Sequence, residues 1–183
     1  QQSVQNLTDT DGATIILTAT WKEKDYTGEP YNIILHSNNG SDTTQEVAAE
    51  FGVNKTLPKN TFTKDHYDFK GWSSFPSNHN VIYVDEDVVK VNHPEVIGGN
   101  TLNLYAVWDI QKYTVEFING NETITQTIEY GSTVQLPEAT NKVGYTFTGW
   151  YTESGQQWQE ETIVDQNTKL YAKYEPITYS IEF

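Results

Sequence analysis

Cysteine and methionine are both absent from this 183-residue chain. Without cysteine, neither a disulfide nor a thiolate metal site can stabilise the fold. No apolar run approaches the roughly 20 residues that cross a bilayer, so we expect no membrane insertion. A signal peptide and an initiating methionine are also missing, which predicts an excised segment of a longer protein or a processed form.

Positive charge is scarce as well. The 11 basic residues are all lysine, and the formal net charge is −14. Binding to nucleic acid needs a basic face that displaces counterions from phosphate, so we expect no nucleic-acid partner. An anionic membrane surface is disfavoured for the same reason. We interpret the acidity as a solubilising, self-repelling coat.

Aromatic residues are abundant, with 12 Tyr, 7 Phe and 5 Trp. The string GYTFTGW at 144–150 has a counterpart, HYDFKGW, at 66–72. Tyr and Phe two positions apart share one side of a strand, and the Gly after them permits a bend before the Trp. The predicted core residues are Tyr145, Phe147 and Leu170, with their counterparts Tyr67, Phe69 and Leu104.

Other landmarks recur in the same order, which indicates a repeat. A Tyr-led strand begins each copy, and a Leu-Tyr-Ala strand ends it. Between them, Phe51-Gly52 in repeat one and Tyr130-Gly131 in repeat two are followed by Leu-Pro at identical spacing. We predict a closing strand and linker at 1–24, repeat one at 25–109, repeat two at 110–176, and an opening strand at 177–183. The fold-determining residues are predicted to be Tyr67, Phe69, Gly71, Trp72, Leu104, Tyr105, Ala106, Tyr145, Phe147, Gly149, Trp150, Leu170, Tyr171 and Ala172.

The pattern in each repeat predicts a strand, a hairpin, a second strand, a short helix and two more strands. The helix is expected at about 58–66 in repeat one and at 137–142 in repeat two, beginning at a proline. This order indicates an α+β fold of β-grasp type, a strand-rich mixed sheet with one short helix. Repeat one carries surplus residues between its last two strands, which we interpret as an insertion at 73–101.

Catalytic chemistry finds little support in the sequence. The neighbouring acids Glu160 and Glu161 lie in a polar segment, whereas a glycosidase needs two opposed carboxylates in contrasting environments. No Gly-x-Ser-x-Gly elbow accompanies any of the four histidines. We predict a non-enzymatic protein with no catalytic residues and no cofactor.

The acidic run Asp85, Glu86 and Asp87, with Asn92 and His93 nearby, is a candidate calcium site because its carboxylates supply oxygen ligands. The spacing matches no EF-hand loop, and a solvated acidic loop explains the run more simply. Exposed aromatics offer a second hypothesis, because Trp72, Tyr151 and Trp158 would stack on sugar rings if they were accessible. Small repeats also need such residues as core.

The combination of Gly-Tyr-x-Phe-x-Gly-Trp, Tyr-Gly-x4-Leu-Pro and Leu-Tyr-Ala resembles the Listeria–Bacteroides repeat, found as the B-type repeats of internalin-like surface proteins. The resemblance covers both full units and both fragments. It implies a β-grasp-like fold, tandem arrays and a place on the bacterial cell surface or in secreted proteins, often as a stalk. The motif residues determine the fold in that family and imply no catalytic site.

Two functions therefore remain open. The first is a structural and interaction module that extends or presents an adhesive domain, with neighbouring repeats as partners. The alternative is a module that binds carbohydrate or a host or matrix protein. The strand-like fragments at 13–21 and 179–183 are expected to lie against the adjacent repeat or to pair between molecules, which would give head-to-tail self-association.

Overall fold

The computed structural model describes residue 16 and residues 18–182. These residues form two four-stranded sheets, one for each repeat, and a small two-stranded sheet in repeat one. In chain order the strands are β1 (Pro30–His36), β2 (Thr44–Glu50), β3 (Lys55–Thr56), β4 (Tyr67–Ser73), β5 (Val88–Val89), β6 (Thr101–Ile110), β7 (Lys112–Asn119), β8 (Glu122–Glu129), β9 (Tyr145–Tyr151) and β10 (Thr168–Pro176).

The two large sheets have the same topology, β2-β1-β6-β4 and β8-β7-β10-β9. In each sheet the first and last strands of the repeat are parallel neighbours, and the two outer strands pair antiparallel to them. The hairpins close at residues that accept positive φ, which are Asn38 and Gly40 in repeat one and Gly120 in repeat two. The sheets are therefore mixed, and a parallel pair lies at the centre of each.

The predicted helices are absent, so the assignment to an α+β, β-grasp fold is wrong. Within the described residues the only helix is a four-residue 3-10 turn, Pro94–Ile97. In repeat one the Asn60 side chain accepts a hydrogen bond from the Phe62 backbone N–H, a local turn that competes with a helical ladder. In repeat two the indole of Trp150 donates to the Pro137 carbonyl at 2.8 Å. Tertiary contacts thus hold both segments in an irregular conformation.

The Gly-Trp step of the motif lies at a β-bulge in both repeats. The pairing register shifts between Phe69 and Gly71, and again at the equivalent place in β9–β10. The extra residue brings Phe69 and Trp72 to one side of the sheet, where their rings meet edge to face 5.0 Å apart. Gly71 has φ of 143°, and a Cβ there would meet the Tyr83 carbonyl oxygen at 2.5 Å. The predicted bend at this glycine is therefore a bulge that only glycine fits.

Each repeat has its own apolar core on its sheet. Leu104 and Leu170 are fully buried, as predicted, and Phe69 and Phe147 are half-buried against the two cores. Tyr145 is 40% exposed, so its assignment to the core is wrong. It is the first residue of β9 and lies beyond the buried centre of the sheet, with the Lys142 ammonium 4.2 Å from its ring centroid.

The surplus segment of repeat one is part of the core. Val89 and Val91 are almost completely buried within it, and Ser73 is fully buried at its start. The Val91 carbonyl accepts from the Gly52 N–H at 2.8 Å, and the Val164 carbonyl accepts from the Gly131 N–H at 2.9 Å. Val164 makes the same contact in repeat two, so Val91 and Val164 occupy an equivalent buried position in the two cores. The extra residues of repeat one lie on both sides of this position, and 73–101 is therefore not a separate loop.

The two terminal fragments show no strand in their described parts. Residues 13–15, 17 and 183 lie outside the described residues, while 18–21 and 179–182 have no strand assignment. Trp21 is 93% exposed and Tyr179 is 81% exposed. The described parts therefore do not pair with the adjacent repeat, contrary to one version of the sequence-based expectation.

Candidate functional site

The junction between the two repeats consists of one residue, Gln111, between β6 and β7. Its backbone N–H donates to the His66 carbonyl at 2.9 Å, and its own carbonyl accepts from the Tyr130 N–H at 2.8 Å. Its side-chain amide donates to Asp68 at 3.1 Å, and its amide oxygen accepts from the Tyr113 hydroxyl at 3.1 Å. One residue thus carries hydrogen bonds to both repeats.

A stacked ring pair lies beside this residue. The His66 imidazole and the Tyr130 ring are 7° from parallel, with centroids 3.5 Å apart. His66 has a left-handed backbone, φ 63°, and occupies the position that Gly144 holds in repeat two. The contact joins the turn before β4 of repeat one to the residue after β8 of repeat two. The repeat pattern aligned His66 with Gly144 and did not predict this contact.

The far end of repeat two shows part of the same arrangement. The Ile177 N–H donates to the Gly144 carbonyl at 2.9 Å, as the Gln111 N–H does to the His66 carbonyl. Ile177 aligns with Gln111, and Thr178-Tyr179 aligns with Lys112-Tyr113, which opens repeat two. The backbone therefore leaves repeat two as it leaves repeat one, although Gly144 offers no ring for a stack.

Repeat two also has an open groove between the segments 136–141 and 157–161. Its volume is about 640 Å³, within the range of small-ligand sites. Phe147, Trp150 and Trp158 line its buried or half-buried part. Its exposed lining residues are Glu138, Asn141, Gln157, Gln159, Glu160 and Glu161, with Gly149 beneath them.

The same region of repeat one is closed by its own residues. The Leu57 N–H donates to the Asp87 carbonyl at 2.8 Å, and the Asn60 N–H donates to the Asp85 carboxylate at 2.7 Å. Phe62 packs edge-on against Trp72 with ring centroids 6.2 Å apart. The two repeats therefore share a sheet topology and differ in this region.

The predicted sugar-stacking residues do not form a platform. Trp72 is fully buried, so its ring is inaccessible to a ligand. Tyr151 is half-buried, and the Lys173 ammonium lies 4.2 Å from its ring centroid. Trp158 is half-buried in the groove wall, so of these three residues it is the one placed in an open groove. Glu160 and Glu161, considered above as an acid pair, lie at the mouth of the same groove.

The acidic run of repeat one is engaged by backbone groups. Besides the bond from Asn60 to Asp85, the Asp87 carboxylate accepts from the Val88 N–H at 2.8 Å. Glu86 takes a left-handed conformation at φ 58°. Across the described part of the chain, no group of three or more His, Cys, Asp or Glu side chains is arranged to hold a metal ion. Asp85 and Asp87 thus serve as local hydrogen-bond acceptors.

The histidines lie apart from one another. His36 stacks on Tyr105 at 4.4 Å, and His93 accepts from the Glu95 N–H at the start of the 3-10 turn. His66 lies at the junction, and His79 is exposed in the surplus segment. Each of these contacts packs a histidine ring or caps a turn. None of them places a nucleophile beside a histidine that would act as its base.

The family model of the Listeria–Bacteroides repeat domain matches residues 31–107 and 113–173, one match for each sheet. The chain belongs to the Listeria–Bacteroides repeat family. The two matches are separated by the strand end and by Gln111, so the repeat boundary in the family model coincides with the junction in the structure.

Relatives of this Listeria–Bacteroides repeat chain include longer bacterial proteins. A provisionally named membrane protein of Evansella cellulosilytica is 31% identical over 175 residues, which cover 92% of this chain and 24% of that protein. A provisionally named Gly-rich membrane protein of the same organism is 32% identical over 145 residues, covering 76% and 16%. Internalin H of Listeria monocytogenes is 29% identical over 135 residues, covering 71% and 23%. The chain thus spans at most about a quarter of these relatives.

Within the described residues, no helix has the length and apolar character that crossing a bilayer requires.

Proposed function

We propose that this chain is a non-enzymatic spacer of a bacterial surface or secreted protein, and that it holds an adhesive domain at a fixed distance and orientation. The observation that carries the proposal is the junction: one residue, Gln111, with four hydrogen bonds to the flanking repeats. A short, bonded connection restricts the angles that two repeats adopt, whereas a flexible linker would leave them free. The names of the Evansella and Listeria relatives support a place at the cell surface.

The acidic surface supports the same function. A net charge of −14 gives mutual repulsion between neighbouring chains and keeps an array of repeats in solution. Further repeats of the same protein are the proposed partners. The exposed terminal segments, 18–21 and 178–182, are proposed to complete strands with neighbouring repeats or, in isolated chains, to associate head to tail.

The test compares the wild type with a variant in which Gly-Ser-Gly is inserted after Gln111. Residual dipolar couplings of the wild type should fit a single alignment tensor for both sheets, and the insertion should give two different tensors. The control places the same tripeptide after Gly155, in an exposed turn within repeat two. Two independent tensors for the wild type would contradict the spacer proposal.

A second measurement addresses adhesion in the full-length parent protein. Bacteria that carry the junction insertion should show weaker adhesion than those with the control insertion, provided that surface display of both proteins is equal. Equal adhesion would show that orientation across this junction does not matter for function.

A further inference from the structure

The groove of repeat two has the features of a binding site beyond the spacer function. It joins an aromatic base, formed by the half-buried rings of Phe147 and Trp158, to a polar and charged mouth. Ligand sites commonly combine an apolar wall with a few polar groups that fix orientation. All the lining residues belong to repeat two and Gln111 is not among them, so the two functions do not require one another.

The comparison between the repeats shows that the fold does not demand this groove. Phe62 fills the corresponding space in repeat one and packs on Trp72. Its aligned position in repeat two holds Thr140 or Asn141, depending on where the one-residue gap is placed. Asn141 lines the groove. The Thr140 hydroxyl instead donates to Glu122 at 2.6 Å.

In the part of the chain that the structure describes, the segments on the two sides of the groove, 136–141 and 157–161, are not joined by hydrogen bonds. In repeat one, Asp85 and Asp87 accept backbone hydrogen bonds across the equivalent gap. In the described part of repeat two, no hydrogen bond joins residues 136–141 to residues 157–161. The carboxylates of this region are thus left at the surface, in contrast to Asp85.

The charge at the exposed opening of the groove, which we call its mouth, indicates the class of ligand. Glu138, Glu160 and Glu161 line it, and no lysine or histidine is among the lining residues. Three exposed carboxylates without a counter-ion repel anionic ligands and attract cationic ones, most strongly at low salt. Each such contribution is small at the surface, so the apolar base must supply part of the affinity.

The side-chain amides at the mouth of the groove indicate which kind of cationic ligand fits. Asn141, Gln157 and Gln159 each carry donors and an acceptor suited to hydroxyl groups. Gln157 already donates to the Thr148 carbonyl at 3.1 Å, which fixes its position. A sugar ring offers hydroxyls for amides and an apolar C–H face for an aromatic wall, and an amino sugar adds the cation. We propose that this groove binds a glycan with free amino groups.

The decisive experiment titrates the intact chain with a glucosamine tetramer and follows amide chemical shifts. The comparison ligands are the N-acetylated tetramer, a neutral glucose tetramer and a tetralysine peptide. We expect saturable shifts confined to residues 136–161, with the glucosamine tetramer binding about tenfold more tightly than either uncharged glycan. Binding should weaken as salt is added.

Two variants test the site itself. Asn141→Phe introduces the aromatic residue that repeat one carries and should abolish the shifts while the sheet spectrum is retained. Glu160→Gln with Glu161→Gln should weaken glucosamine binding about tenfold. The matched control, Glu153→Gln with Glu175→Gln, removes the same charge from exposed positions of repeat two outside the groove.

Several outcomes would overturn the proposal. Tetralysine binding as tightly as the glucosamine tetramer would show a general cation surface, and so would equal weakening by the control pair. Unsaturated shifts at about 10 mM glycan would show that the groove is not a glycan site. A negative result in the glycan titration would not affect the spacer proposal, which is tested separately by the residual dipolar couplings.

Discussion

His66 of repeat one and Tyr130 of repeat two lie face to face across the junction, with ring centroids 3.5 Å apart. These residues are 64 positions apart, and their rings meet because Gln111 bonds to the backbone of both. Aromatic pairs contribute about 0.5–1.5 kcal/mol beyond the area that they bury, and a face-to-face pair without offset belongs at the lower end of that range. The junction therefore has a side-chain contact in addition to its backbone bonds.

The stack can be tested by a double-mutant cycle with His66→Gly and Tyr130→Ala. Glycine removes the ring and suits the φ of 63°, as Gly144 does in repeat two. We expect a coupling of about 0.5 kcal/mol between the two positions in the free energy of unfolding. Additive effects would show that the stack contributes nothing. The same cycle on His36 and Tyr105, stacked within repeat one, serves as the control.

Tyr31 and Tyr113 open the two repeats and differ in their hydroxyl partners. The Tyr31 hydroxyl is buried near the Val91 backbone without a well-formed hydrogen bond to the described residues, while the Tyr113 hydroxyl donates to Gln111. Tyr31→Phe should raise the free energy of unfolding by about 1 kcal/mol, and Tyr113→Phe should lower it by about the same amount. Urea denaturation measures both. Equal effects of the two substitutions would contradict the assignment.

The buried Tyr31 hydroxyl should make the free energy of unfolding depend on pH in the alkaline range. Burial, with a smaller contribution from Tyr83, raises the pKa of its hydroxyl above the ordinary value. The folded state then holds the proton more tightly than the unfolded state. This contribution is complete below the ordinary tyrosine pKa of about 10 and is lost as pH rises through the folded-state pKa. The free energy of unfolding of Tyr31→Phe should fall less than that of the wild type above about pH 10, and parallel pH profiles would contradict this.

Gly71 and Gly149 should respond unequally to alanine. Both have positive φ, which strains any L side chain. A Cβ at Gly71 would lie 2.5 Å from the Tyr83 backbone oxygen, whereas one at Gly149 would meet the end of the Gln157 side chain at 2.7 Å. Backbone yields less than a flexible amide, so Gly71→Ala should cost at least about 1 kcal/mol more.

Thermal melting of the two glycine variants tests that difference. Gly40→Ala is the control, because it adds φ strain at 99° with no atom within 4 Å. Similar melting temperatures for Gly71→Ala and Gly40→Ala would show that the close approach to Tyr83 is not limiting.

The surplus segment of repeat one should tolerate shortening only in its last part. Replacing residues 93–98 by a short Gly-Ser link removes the 3-10 turn and leaves Val89 and Val91 in place. Repeat one should be destabilised but remain folded, because the turn contributes the half-buried Ile97 to the edge of the core and shortening a surface connection costs little. Deleting residues 79–91 should unfold it, since two buried valines are lost with their contacts. Amide exchange in β1 and β6 distinguishes the outcomes, and protection in both variants would contradict this division.

The strands could be predicted from sequence because their pattern is local. Alternating apolar residues and Asn-Gly turns predicted, for each repeat, the four strands of seven or more residues in the order that the described chain shows. Tyr67-to-Trp72 and Tyr145-to-Trp150 indicated the repeat without any knowledge of contacts. The two central leucines of the cores, Leu104 and Leu170, followed from the same periodicity.

Only the tertiary structure decided the rest. The segments after Pro58 and Pro137 are too short to form stable helices alone. The Asn60 N–H donates instead to the Asp85 carboxylate, and the Pro137 carbonyl accepts from the Trp150 indole. The stack of His66 on Tyr130 and the groove beside Asn141 depend on groups distant in sequence. Local patterning determined which residues become strands, whereas packing between distant residues determined the loops, the junction and the groove, because those contacts exist only after the sheets have formed.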